Sequence, residues 1–551
     1  MTIGIALTIL VILTYAPADS VADLGFARLF NDDNLPAISI LEESSKDGPR
    51  SNETDWIRQY DDAPFDDRAK EAAGRSKDES DATSNCTERS VDEFPEVFTL
   101  EQRRRGAAAL HIFFGFYCFI LTAFVCNDYL LPTLDIICVR LSISSDVAGA
   151  TFLATANCFP ELFVNIIGTF LTESDLGIGT VMGGAVFNTF ATPACGALSA
   201  IHAIPLERRI LTRDCILYAI SVATLVIVMW DGVIKLYEAI ILMVLFVTYL
   251  TILFCSKYFV RWHNKLVHLY TDKNRSTNFS EKEIPKGKEE SMPDGLYRPY
   301  FHGELVAEYR KKSVASNSGR KSSSANDVET PNHVEQADEY VEPDTPFVWP
   351  TGGSLAKVWF WFVWPLKLIL FVTVPDSRYK RWRDWYLITF VMCVIWIAIS
   401  SYLTSWMTTV LGDTIGIPDS VMGITFQAAG GNMPELVSIV ILSRQGNGDM
   451  AMSNTLGANT LDILLCLGLP WMIKILMDKK DIKIISYALS YSVLSIIVCV
   501  IAFYTVTAFC KYRLNKKVGI ICLTLYAIFL VFALLFELNI FSPVNLPMCS
   551  S

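Results

Sequence analysis

The chain has 551 residues, 52% of them hydrophobic and 19% charged, with a mean hydropathy of +0.36. Soluble globular chains average about 25% charged residues, so an ordinary soluble enzyme is excluded. The formal net charge of −11 sits largely in one stretch, Asp19 to Arg105, which holds 22 Asp/Glu against 12 Lys/Arg. That acidity argues against a nucleic-acid partner.

The first apolar residues, Thr2 to Ala16, are too few to span a bilayer comfortably and are followed by Ala16-Pro17-Ala18, small residues of the kind a signal peptidase selects. A signal peptide over 1–18 is expected, with an uncleaved anchor as the alternative. The acidic tail 19–106 then lies outside, where the sequons at Asn52 and Asn85 would be glycosylated.

Ten apolar segments of spanning length follow. Five fall at 107–130, 145–171, 176–203, 212–231 and 236–256, giving a first membrane half over 107–256. Five more fall at 387–411, 416–443, 449–477, 483–507 and 517–539, giving a second half over 387–539 and a short outer terminus, 540–551. The fold class is therefore an all-α polytopic membrane protein, with the lipid bilayer as its first partner. Between the halves, 257–386 is rich in Lys, Glu, Ser and Asn, a composition that suggests disorder. Within it the aromatic segment 358–374, with Pro365 and Lys367, reads as an interfacial helix. Counting from an outside N-terminus puts this loop in the cytoplasm. Its flanking charges agree (Lys257, Arg261 and Lys265; Arg378, Lys380, Arg381 and Arg383), as do Arg208, Arg209, Arg213, Lys511, Arg513, Lys516 and Lys517. Arg103 to Arg105 and the cluster Lys474, Lys479, Lys480 and Lys483 run against it.

An internal repeat is the most informative feature. Gly149-Ala150-Thr151-Phe152 through Pro160-Glu161-Leu162 recurs as Gly423-Ile424-Thr425-Phe426 through Pro434-Glu435-Leu436, at a constant offset of 274 residues. The same offset carries Asp175 to Asp449, Gly183 to Gly457 and Asn188 to Asp462. An odd number of spans per copy inserts the second copy upside down, and inverted repeats build transporters with a midplane site. Glu161 and Glu435 fall mid-span, where an ionised carboxylate is costly unless paired or solvated. Pro160 and Pro434 precede them and free the carbonyls of Ala156 and Gly430. Flexible oxygen ligands with two negative charges suit Ca²⁺. Asn188 and Asp462 add an amide oxygen and a third carboxylate, and Asn157 and Asn165 share the helical face of Glu161. Asn165 reads at least as well as a packing residue.

The two repeat motifs, with Val421-Met422 and Ser443-Arg444-Gln445-Gly446-Asn447-Gly448-Asp449-Met450-Ala451, resemble the alpha repeats of the potassium-dependent sodium/calcium exchanger family. The resemblance covers both membrane halves. It implies a ten-span antiporter that moves Ca²⁺ with K⁺ in exchange for Na⁺, with these inorganic cations as cargo and no cofactor. It also implies that Glu161 and Glu435 are the central Ca²⁺/Na⁺ carboxylates and Asp462 the aspartate linked to K⁺ dependence. The motif residues Thr151, Thr425, Asn157, Asn188 and Asn432 are the further cation-site candidates. The family usually carries small hydroxyl residues where this chain has Asn157, Cys158, Gly184, Gly431, Asn432 and Ala458. A thiol is a poor ligand for Na⁺, and Gly or Ala offers none, so divalent binding is better supported than ordinary Na⁺ coupling. An antiporter using another counter-ion such as H⁺, or a non-transporting ion sensor on the same scaffold, are the alternatives.

The 14 Cys lie mostly in the spans and read as small apolar residues. A disulfide between Cys86 and Cys549, both on the outer side, is an option, whereas no zinc spacing, phosphate loop or catalytic dyad is seen. The chain is not expected to be an enzyme. The plasma membrane is the expected location, with an internal membrane as the alternative, and a homo-oligomer stays open.

Overall fold

The computed structural model describes residues 90–141, 148–200, 202–274, 299, 301–306, 343, 345–350, 353–484 and 488–537. The expected signal peptide, the sequons at Asn52 and Asn85, and the pair Cys86 and Cys549 lie outside the described residues.

The chain is a helical membrane protein, and each expected span corresponds to a helix or a broken helix. The first half comprises α1 (Leu100–Arg140), the short α2 (Ala154–Asn157) and α3 (Phe159–Phe170), then α4 (Leu176–Ser199), α5 (Arg208–Val228) and α6 (Leu236–Asn274). After α7 (Ser354–Thr373), the second half comprises α8 (Tyr386–Ile415), α9 (Ala428–Gly431), α10 (Met433–Arg444), α11 (Gly448–Asp478), α12 (Ala488–Phe509) and α13 (Lys516–Glu537). Among the described residues nine helices are long and apolar enough to cross a membrane. The broken pairs α2/α3 and α9/α10 fall short of that length because Pro160 and Pro434 stop the ladder. Gly416, in a left-handed conformation (φ 78°), ends α8.

Two small sheets fix the relation of the repeats. Strand β1 (Ile204–Pro205) joins α4 to α5, and β2 (Val233–Ile234) joins α5 to α6; β3 (Ile482–Lys483) and β4 (Arg513–Leu514) occupy the equivalent loops of the second half. β1 pairs with β4, Ile204 opposite Leu514, while β2 pairs with β3, Val233 opposite Lys483. In either half the two loops are separated by one crossing helix and lie on opposite faces. Each loop nevertheless pairs with the non-equivalent loop of the other half, and only an inverted second copy allows both pairings. The sheets also place Arg208 with Arg513 on one face and Lys483 with Val233 on the other.

The repeats cross at close range because small residues line the contact. A Cβ on Gly183 would lie 2.3 Å from the Ile424 carbonyl oxygen, and one on Gly423 would lie 2.6 Å from that of Leu176. Outside this crossing α1 runs against α8, where Thr122 donates to Ser400 (2.9 Å) and the Arg103–Asp413 ion pair (2.9 Å) is almost fully buried.

Two pieces of the central loop dock on the helices. Asp135 Oδ2 accepts from the backbone N–H groups of Phe301 (2.6 Å) and His302 (2.7 Å), and His302 Nε2 bonds to the Ser377 carbonyl (3.1 Å). The segment read as interfacial, 358–374, makes up most of α7 and its cap, a helix of twenty residues with the length and hydropathy of a crossing helix. It packs alongside α1 and α8: Tyr117 donates to the Phe362 carbonyl (3.2 Å) and Trp396 Nε1 to Thr373 (2.9 Å).

Candidate functional site

The helix breaks bring the predicted acids to the contact between repeats. α2 ends at Asn157, Cys158 turns the chain, and α3 begins with Pro160 in its first turn and Glu161 next to it. The second copy repeats this with α9 ending at Gly431, Asn432 at the turn, then Pro434 and Glu435. Each acid therefore sits in the first turn of a helix, where unbonded N–H groups and the helix dipole favour negative charge. Asn188 and Asp462 lie in equivalent π-turns, Phe187–Ala191 and Asp462–Leu467, an irregularity frequent at functional sites.

Glu161, Glu435, Asp462, Asn157, Asn188, Asn432 and Thr151 are all buried, with Glu161 only 1% and Glu435 0% exposed. The three carboxylates are near enough to repel one another. Among the described residues, both oxygens of Glu161 and both of Glu435 have no hydrogen-bond partner, and nor does Asn157 Oδ1. Leaving such groups bare inside a protein costs several kcal/mol per charge; a cation removes that cost. Beside Glu161 is a cavity of about 10 Å³ lined by Thr122, Thr180, Ser401, Thr404 and Gln427, room for about one water-sized sphere.

The amides form a second part of the site. Asn188 Nδ2 donates to Asn432 Oδ1 (2.5 Å), Thr192 donates to Asn188 Oδ1 (3.0 Å), and Asn432 Nδ2 donates to the Ala428 carbonyl (2.7 Å). Asn157 Nδ2 reaches Asn454 Oδ1 at 3.5 Å, and Asn454 in turn donates to Ser438 (3.2 Å). Thr425 is only half-buried and donates to the Val421 carbonyl of its own helix (2.7 Å), so it is not drawn into the cluster. Asn165 donates to the Glu161 carbonyl (2.9 Å) and packs on Gly177, and the helix break at Cys158 falls between it and Asn157.

The unusual residues explain one another. A Cβ on Gly184 would lie 2.7 Å from Asn432 Nδ2, and one on Gly431 would lie 3.0 Å from Glu161 Oε1. The large amide at 432 thus occupies the room that a hydroxyl side chain at 184 would need. Cys466, read with the other span cysteines as a small apolar residue, has its Sγ 3.7 Å from Asp462 Oδ1, and the Sγ of Cys158, already singled out at a hydroxyl position, points to the Ala458 carbonyl at 3.4 Å. Asn454, Ser438, Thr192 and Cys466 were not picked out from sequence. Helical spacing from Asn188 and Asp462 (i+4) was the available signal for Thr192 and Cys466.

Inverted halves with breached helices meeting at buried carboxylates define an inverted-repeat secondary transporter. The profile of the sodium/calcium exchanger protein family matches residues 111–255 and 385–535, more than half of the chain. Among relatives, the human sodium/potassium/calcium exchanger 3 is 34% identical, with 85% of this chain and 87% of the relative aligned. Human sodium/potassium/calcium exchangers 4 and 5 are each 33% identical, over 84% and 83% of this chain and 87% and 90% of their own. A solved structure of the sodium-calcium exchanger NCX_Mj covers 76% of this chain and 97% of its own at a TM-score of 0.40 and 17% identity. The chain belongs to the sodium/calcium exchanger family.

Proposed function

We propose that this protein moves Ca²⁺, together with K⁺, across a membrane in exchange for Na⁺, by alternating access around Glu161 and Glu435. The observation that carries the reading is the pair of repeat-related carboxylates, buried at facing helix breaks with no hydrogen-bond partner among the described residues. The names of the relatives above support the same ions. Asn157, Asn188, Asn432 and Thr151 supply oxygens around the acids, the first with an Oδ1 that has no hydrogen-bond partner among the described residues. Asp462 breaks the symmetry, because Asn188 is its neutral mate. With all three acids ionised the local charge is −3; Ca²⁺ balances two charges and K⁺ the third, so each cation favours binding of the other. The cavity beside Glu161 is lined in part by Thr122 of α1 and by Ser401 and Thr404 of α8.

The remaining finer assignments belong to the same proposal: the acidic tail outside, the central loop in the cytoplasm, and the plasma membrane as location. Ca²⁺ flux into proteoliposomes under imposed Na⁺ and K⁺ gradients tests the reading. Flux should follow the Na⁺ gradient and rise with K⁺ on the Ca²⁺ side, and Asp462→Asn should leave flux that ignores K⁺. Flux of the unmodified protein that follows a H⁺ gradient instead of Na⁺ would replace this reading with a different counter-ion.

A further inference from the structure

The inverted repeat places two triads at equivalent points, and they differ in chemistry. In one, Asn188, Thr192 and Asn432 are joined by bonds of 2.5 and 3.0 Å. The offset of 274 residues makes Asp462 the mate of Asn188, Cys466 the mate of Thr192, and Cys158 the mate of Asn432. These three mates also meet. One ligand atom from each of Cys158, Asp462 and Cys466 lies within 4.8 Å of the others, all three residues being buried. Cys466 Sγ is 3.7 Å from Asp462 Oδ1 and 3.5 Å from the Cys158 carbonyl oxygen. One triad is thus made of hard, neutral oxygen and nitrogen groups, the other of two thiols and a carboxylate.

We propose that Cys158, Asp462 and Cys466 form a subsite for a soft divalent cation of the Zn²⁺ and Cd²⁺ class, sharing Asp462 with the cluster of acids assigned above to Ca²⁺ and K⁺. The inference rests on the reading of the buried acids as a cation site. Thiolate sulfur selects soft metals over Ca²⁺ and Na⁺. Tetrahedral zinc with Zn–S bonds of about 2.3 Å sets its ligand atoms somewhat under 4 Å apart, so small side-chain rotations close the triad on an ion. Coordination releases the thiol protons, since the thiolate is the ligand. Three protein ligands leave the fourth tetrahedral position to water, unlike the closed four-ligand set of structural zinc. A soft ion held here shares Asp462 with the transport site and therefore competes with Ca²⁺.

Cd²⁺ titration of the full chain in nanodiscs, followed by the ultraviolet thiolate-to-metal charge-transfer band, tests this. The unmodified protein should show the band, and excess Ca²⁺ should suppress it. The double variant Cys158→Ser, Cys466→Thr restores hydroxyls, using at 466 the residue that already fits the equivalent position. It should lose the band and bind Cd²⁺ at least about tenfold more weakly. A band that survives the double substitution, or that excess Ca²⁺ leaves unchanged in the unmodified protein, overturns the subsite; the second measurement needs no variant to fold. Failure of each reading is separable. Na⁺-driven Ca²⁺ flux without a band removes only the soft subsite, whereas a Ca²⁺-sensitive band without Ca²⁺ flux removes the transport reading and leaves the subsite.

Discussion

Placing a serine at Gly184 should damage the site, and a second serine at Asn432 should repair it. In the native structure a Cβ at 184 would lie 2.7 Å from Asn432 Nδ2, whereas carbon contacts relax at about 3.5 Å. Asn432 must retreat by about 0.8 Å, which carries its bonds to Asn188 (2.5 Å) and to the Ala428 carbonyl (2.7 Å) to or past the limit of about 3.2 Å. Each bond is worth about 0.5–1.5 kcal/mol net, so Gly184→Ser should cost about 1–3 kcal/mol, or about 5- to 150-fold in Ca²⁺ affinity. Asn432→Ser alone removes the same bonds and leaves Asn188 Nδ2 without its acceptor. Together the two serines fit, and the hydroxyl at 184 can take up the lost contacts. Ca²⁺ affinity measured calorimetrically across the four proteins gives the coupling. Gly184→Ser at native affinity, or losses that simply add in the double variant, would refute the steric argument.

The docked loop should respond to pH. Burial holds the His302 imidazole below its ordinary value, with the nearby Arg383 acting in the same direction. Leu305 donates to His302 Nδ1 (3.4 Å), which requires that nitrogen unprotonated. Because the undocked histidine takes a proton near 6.5 and the docked one only lower, docking is complete above that pH and weakens as pH falls through the docked value. Amide exchange over 301–306, corrected for its intrinsic rate, should rise between about pH 7.5 and about pH 5.5; equal protection at both would contradict the assignment. Glycosylation reports the sidedness proposed for the tail: an Asn52, Asn85 double variant should show no mobility shift on deglycosylation, although Asn274 and Asn278 also carry sequons. A remaining shift would invert the proposed topology.

Much of this architecture is legible in the sequence because it depends on short-range rules. Spanning length, proline breaks before Glu161 and Glu435, and the fixed repeat offset are properties of contiguous residues. The inverted relation followed from span parity, and the β1–β4 and β2–β3 pairs express it physically. The relations that were not legible join residues far apart in the chain. The Gly184–Asn432 exchange of volume and the approach of Cys158 to Asp462 and Cys466 arise only when the two copies cross; spacing within one copy signals no more than the Asp462–Cys466 pair. Cys466 was read with most of the cysteines as a small apolar residue, yet it joins Cys158 beside an acid. The central loop was read from its polarity as disorder, and hydrophobicity could not have signalled that Phe301 and His302 dock through backbone N–H groups on one aspartate.

The central claim is that Glu161 and Glu435 hold a divalent cation jointly, each leaving the other's charge uncompensated when the ion is absent. Isothermal titration of Ca²⁺ into the purified protein, beside Glu161→Gln and Glu435→Gln, measures this most directly. Gln keeps the shape and removes one charge from a fully buried pair. The account predicts saturable Ca²⁺ binding in the unmodified protein and at least about a hundredfold loss in each variant, about 2.7 kcal/mol, with both variants still folded. Native Ca²⁺ affinity in either variant would contradict it.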